Sequence, residues 1–145
     1  MTVPAASAIA KDKIQAYLST RYRIACDPQA VVLLVGQRCD DVAALFTRHA
    51  VDCGAFLTAF NPRGALQSDE ANEQAHTRLK SALHGRGLAM IEGEGIGATG
   101  IWPPERSVFA LGLGLEEARA IGARFDQDAI VWVSADAVPQ LVLLR

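Results

Sequence analysis

The stretch Phe56-Leu57-Thr58-Ala59-Phe60-Asn61-Pro62 decides how this chain is read. A run of strand-forming apolar residues stops at Asn-Pro, and the residue before a proline is steered into extended or turn geometry. Arg63-Gly64-Ala65-Leu66-Gln67 follows as a polar loop. Ser68-Asp69-Glu70-Ala71-Asn72 then opens a helix, with Ser68 as its N-cap. A strand end that meets a helix start is a common place for binding sites in α/β proteins. Period two along the strand sends Thr58 and Phe60 to one face and Leu57 and Ala59 to the other.

Hydrophobic spacing extends this reading in both directions. Upstream it predicts a helix from Ser7 to about Tyr22, a short buried strand over Val31 to Val35, and a helix from Asp40 to about His49. Downstream of the Asp69 to Leu83 helix come strands over Leu88 to about Glu94 and Val108 to Leu113. A helix over Leu115 to Phe125 and a closing strand pair, Ala129 to Val133 and Leu141 to Leu144, complete the chain. The first half alternates helix and strand, which favours a parallel crossover, and the second half holds two hairpins, which are antiparallel. The expectation is one α/β domain over residues 1–145, with α+β character in its second half. A single mixed sheet of about six strands would carry the helices.

Composition removes several functions. Half of the 145 residues are hydrophobic, 21% are charged and the net charge is −2. A domain of this size buries a core without metals or disulfides. Nucleic acid is not expected as a partner, because phosphate neutralisation needs clustered Lys and Arg. Lys11, Lys13, Arg21 and Arg23 are diluted by Asp12 and Asp27 and read as the solvated face of a helix and its exit. No apolar run is long enough to span a membrane, and Met1 to Ala5 carries no signal-peptide pattern. Three cysteines, an odd number, read as reduced thiols in the cytoplasm.

Familiar motifs fail on context. Gly95-Ile96-Gly97-Ala98-Thr99-Gly100 matches G-x-G-x-x-G, but Ile101-Trp102-Pro103-Pro104 follows, and no helix opens there to meet a pyrophosphate. A flexible hairpin loop accounts for it. Cys26, Cys39, His49 and Cys53 lack the close pairs of a zinc site, so no metal or cofactor is assigned. Glu92 and Glu94 share a strand face and read as a solvated edge. The Trp102-Pro103-Pro104-Glu105-Arg106-Ser107 loop offers a stiff apolar plate beside both charges and a hydroxyl, a mixture that can grip a small polar ligand.

Four patterns together resemble a family of small, mainly bacterial proteins catalogued as domain of unknown function 3293. They are Tyr17-x-x-Thr20-x-Tyr22; Thr58-Ala59-x-Asn61-Pro62 with Ser68 and Glu70-Ala71-Asn72; Trp102-Pro103 with Glu105 and Ser107; and Gln127-x-Ala129-x-x-Trp132. The resemblance implies a single cytoplasmic domain and carries no established chemistry.

The expected function is therefore a small-molecule-binding or enzymatic domain with its site after Phe60. Glu105 or Glu70 would transfer protons, Asn61 and Gln127 would orient, and Trp102 would form an apolar wall, with Thr58, Asn72 and Ser107 completing the binding set. The alternative is a non-catalytic protein–protein interaction module that uses the Trp102 loop. Convergence of these residues on one pocket separates the two.

Overall fold

A computed structural model describes residues 7–100 and 102–145. The signal-peptide reading at Met1 to Ala5 and the Ile101 position of the glycine-rich loop lie outside the described residues. In chain order the elements are α1 (Lys11–Ser19), β1 (Arg21–Ile24), β2 (Val31–Leu33), α2 (Asp40–His49), β3 (Gly54–Leu57), α3 (Asp69–His84), β4 (Met90–Ile96), β5 (Glu105–Leu111), α4 (Leu115–Arg124), β6 (Ala129–Val133) and β7 (Pro139–Leu143). A single 3-10 turn, Pro62–Gly64, links β3 to α3.

The expected single sheet with helices packed on it is present, with seven strands in the order β2-β1-β4-β5-β3-β6-β7. Every pairing is antiparallel, so the neighbouring parallel crossover expected in the first half does not form. The reason lies in strand order. β3 and β4 run the same way but have β5 between them, and β5 and β6 run the same way with β3 between them. α3 and α4 each cross over one intervening antiparallel strand. The order and directions over β3-α3-β4-β5-α4-β6 are those of a ferredoxin-like split β-α-β unit.

The additional strand is β1. Arg21-Tyr22-Arg23-Ile24 alternates exposed and buried positions, a strand pattern that the longer helix reading had absorbed. Thr20 is already extended, which ends α1.

Two apolar clusters lie on opposite sides of the sheet. Leu57, Val108, Ala110 and Ile130 pack against Ala75, Leu79 and Leu83 of α3 and Ala118 and Ile121 of α4. On the other side Phe56, Phe109, Val131 and Leu141 meet Ile14 of α1 and Val42, Leu45 and Phe46 of α2. The sheet curls around this second cluster. The Gly36 N–H, just past β2, donates to the Pro139 carbonyl at 2.9 Å, and the Cys39 N–H donates to the Ala137 carbonyl at 2.9 Å. The two ends of the sheet thereby come within hydrogen-bonding reach of each other.

Gly93 in β4 permits close approach inside the curl. A Cβ there would lie 2.4 Å from the Arg23 carbonyl oxygen of β1 and 3.1 Å from the Phe56 ring. Gly93→Ala is expected to cost about 2 kcal/mol through forced displacement of β1. It would be read as a lower urea midpoint at unchanged slope. An unchanged midpoint would show that this glycine does not set the β1–β4 spacing.

Candidate functional site

The chain leaves β3 with Phe56 and Thr58 toward the concave side and Leu57 and Ala59 toward α3 and α4, as period two requires. The turn then tightens. Asn61 adopts left-handed backbone geometry (φ 46°, ψ 66°) and Arg63 does likewise (φ 56°, ψ 23°). Asparagine is among the few non-glycine residues that enter this region readily. Ser68 caps α3 as expected, accepting from the Ala71 N–H at 3.1 Å.

Asn61 is the hub of the turn. Its side-chain Oδ1 accepts from the Gln67 N–H and from Asn72 Nδ2, both at 3.1 Å. Its own N–H donates to Asn72 Oδ1 at 2.9 Å. Its Nδ2 donates to Glu105 Oε2 at 2.8 Å, and Trp102 Nε1 donates to the same oxygen at 3.0 Å. The loop before β5 thus closes on the turn after β3. Gln127 approaches from the end of α4 and donates through Nε2 to the carbonyls of Phe60 (3.1 Å) and Phe125 (3.3 Å). It secures the turn through its backbone, with no hydrogen bond to Asn61 among the described residues.

These groups border a cavity of about 320 Å³. Thr58, Asn61, Trp102, Glu105, Ser107 and Gln127 all line it. Asn72 is buried one step behind, as the partner of Asn61. Glu70 is exposed on the first turn of α3 and does not reach the cavity, so the structure does not bring it to the others. A carboxylate there suits the positive end of the helix dipole without a further role.

The opposite wall comes from α1 and β1. Tyr17, Thr20 and Tyr22 line it together with Lys13. The expectation that Lys13 is solvated fails. Its ammonium lies 2.6 Å from Asp128 Oδ2 and donates to the Arg63 carbonyl at 2.8 Å. Lys13 and Tyr17 sit four residues apart on one face of α1, and the Tyr17 hydroxyl also reaches Asp128 Oδ2, at 3.1 Å. Arg145 Nε closes the cluster on Oδ1 at 2.6 Å. Burial opposes the Asp128 charge, but hydrogen bonds from Lys13, Arg145 and Tyr17 outweigh it and hold its pKa below the ordinary range. Burial, reinforced by Asp128, pushes the Tyr17 phenol up. Burial does the same at Tyr22, so both rings stay neutral.

On the side of the sheet that carries α3 and α4, Glu92 accepts from His76 (3.1 Å), Lys80 (2.7 Å) and Arg106 (3.2 Å). It is more than the solvated edge that its spacing implied, whereas Glu94 has only a 3.8 Å contact with Arg23. Burial lowers the His76 pKa despite Glu92.

A family model described as Protein of unknown function (DUF3293) matches residues 57–130, just over half of the chain. The chain belongs to the DUF3293 family. No curated protein and no solved structure matches it. Within this DUF3293 chain the matched segment runs from the last residue of β3 into β6 and holds Thr58, Asn61, Trp102, Glu105, Ser107 and Gln127. Lys13, Tyr17, Thr20 and Tyr22 lie before it, so the second wall of the cavity stands outside the matched segment.

Gly95 and Ile96 end β4, so the strand runs two residues further than its spacing implied, and Gly97 to Gly100 follow it toward β5; Gly95 and Gly97 line the cavity. Cys26, Cys39 and Cys53 are free. No described helix is long and apolar enough to cross a membrane.

Proposed function

We propose that this protein is a small-molecule-binding domain whose ligand occupies the cavity between α1 and the turn after β3. The observation that carries the reading is convergence. Residues from four separated segments, represented by Tyr17, Asn61, Glu105 and Gln127, line one recess of a size suited to a small ligand. In a catalytic version of the site Glu105 is the proton-transfer group, because it is the carboxylate in the lining, and Asn61 and Trp102 fix its orientation. The interaction-module reading draws less support. Trp102 is 39% exposed but its indole is tied back to Glu105, and the other exposed large apolar residues among those described are Val32 and Leu66. Free thiols suit a reducing compartment, which favours the cytoplasm.

A ligand-observed NMR screen of small metabolites tests the proposal. The wild-type protein is expected to give binders, and Thr20→Trp, which fills the cavity from α1's end, is expected to lose them while keeping its far-UV spectrum. Binders retained by the filled variant would place the site elsewhere. A flat screen would remove the proposal.

A further inference from the structure

The cavity's unused hydrogen-bonding capacity has a definite sign. The side-chain donors around it are already engaged by protein acceptors. The Tyr17 hydroxyl is spent on Asp128 and that of Tyr22 on the Tyr17 carbonyl, at 2.6 Å. Thr58 donates to the Arg106 carbonyl at 2.8 Å, Thr20 to the Ala16 carbonyl at 2.7 Å and Ser107 to the Glu105 carbonyl at 3.0 Å. The Lys13 ammonium is held by Asp128 and the Arg63 carbonyl, and both bonds from Gln127 Nε2 go to backbone. A ligand anion would find the Lys13 charge already balanced by Asp128 and these hydroxyls already donating to the protein.

What remains is negative. Glu105 is half-buried, and both of its hydrogen bonds arrive at Oε2 from neutral donors. Among the described residues it forms no ion pair and Oε1 has no donor, whereas the partly buried Glu92 and the fully buried Asp128 each have cationic partners. A partly buried carboxylate without a counter-charge favours a cation beside it. The surroundings of that position are aromatic. Tyr17, Tyr22, Phe56 and Trp102 present ring surface, with both tyrosine hydroxyls turned to protein partners. Aromatic faces around a carboxylate attract ammonium groups and their apolar substituents.

The geometry points to an organic cation as the ligand: a primary or secondary ammonium donating to Glu105 Oε1, with an apolar body against the rings of Tyr22 and Phe56. The inference rests on the cavity being the binding site. The experiment keeps the two apart by using three probes of one shape, 2-phenylethylamine, 2-phenylethanol and 3-phenylpropionate, each titrated at neutral pH into wild-type protein and Glu105→Gln. The readouts are the dissociation constant and the chemical shift of the Trp102 indole N–H.

The amine is expected to shift the Trp102 signal and to bind wild type at least about tenfold more tightly than the other two, the difference between a charge-assisted and a neutral hydrogen bond. Glu105→Gln is expected to erase that preference. If the alcohol or the carboxylate shifts Trp102 with affinity equal to the amine's, the cation is wrong and the cavity stands. If none of the three perturbs Trp102, both ideas fall. The ranking on wild type decides the matter even if the variant does not fold.

Discussion

Asp128→Ala is expected to destabilise the protein by about 3 kcal/mol, a fall in melting temperature of roughly 10 °C for a chain of this size. The carboxylate is fully buried and holds Lys13, Tyr17 and Arg145 at once. Its removal strands two cations and a phenol. Lys13 and Arg145 are about one third exposed, so they recover part of their hydration, which keeps the loss at the lower end for a broken buried pair. The loss also depends on pH. The folded-state pKa is depressed, so the stabilisation is fully present above the ordinary aspartate range, about 3.9. It is lost as the pH falls through the lower folded-state value. Urea midpoints of wild type and Asp128→Asn should therefore differ by a constant amount near neutrality and converge in acid. A gap that persists unchanged in acid would show that packing, not charge, accounts for the effect. α1 hangs from this carboxylate, so either variant should also weaken binding in the cavity.

The second large effect is expected at the turn. Asn61→Ala should cost about 3 kcal/mol and Asn72→Ala about 2 kcal/mol, because each leaves buried polar groups of the other unpaired. Asn61 also occupies a left-handed backbone position, where alanine is strained by about 1 kcal/mol. The two residues exchange bonds in both directions, the Asn61 backbone N–H to Asn72 Oδ1 and Asn72 Nδ2 to Asn61 Oδ1. The double variant should consequently lose less than the sum of the singles, by about 1 kcal/mol or more. Chemical denaturation of the four proteins measures this. Additive losses would mean that the two amides act independently and that Asn72 is not the support of the site.

Much of the convex half of the molecule was legible from residue order. The α3 helix announced itself through Ser68 and the spacing of Ala75, Leu79 and Leu83, and Asn-Pro marked the turn after β3, although the strand expected over Ala55 to Phe60 already ends at Leu57. Strand partnership was not legible. A crossover helix looks the same whether it returns beside its own strand or leaves room for another, and only the pairing of β5 with both β3 and β4 resolves that. β1 was hidden because Tyr22 and Ile24 continued an apolar pattern that α1 had begun.

The site shows the same division. Asn61, Glu105 and Trp102 declared themselves as polar or aromatic residues read in loops, and they meet, although Glu105, Arg106 and Ser107 belong to β5. Asp128 did not. A lone carboxylate next to a strand reads as surface, and its partners Lys13 and Arg145 stand at opposite ends of the chain. The available signal was Lys13 and Tyr17 at helical spacing, a cation and a phenol on one face with no acidic residue nearby on that face to receive them.

That anchorage has a consequence for how the protein is made. Tyr17 waits for a partner 111 residues further along, and Ser7 Oγ bonds the Arg145 carbonyl across 138. While the ribosome is still producing β3 to β5, Ile14 and Tyr22 can already meet Phe56, but Lys13 and the Tyr17 hydroxyl still lack the carboxylate that holds them. The recess exists only once Asp128 and β7 have emerged. A chain cut before residue 128 would therefore leave the α1 wall of the recess without its carboxylate anchor.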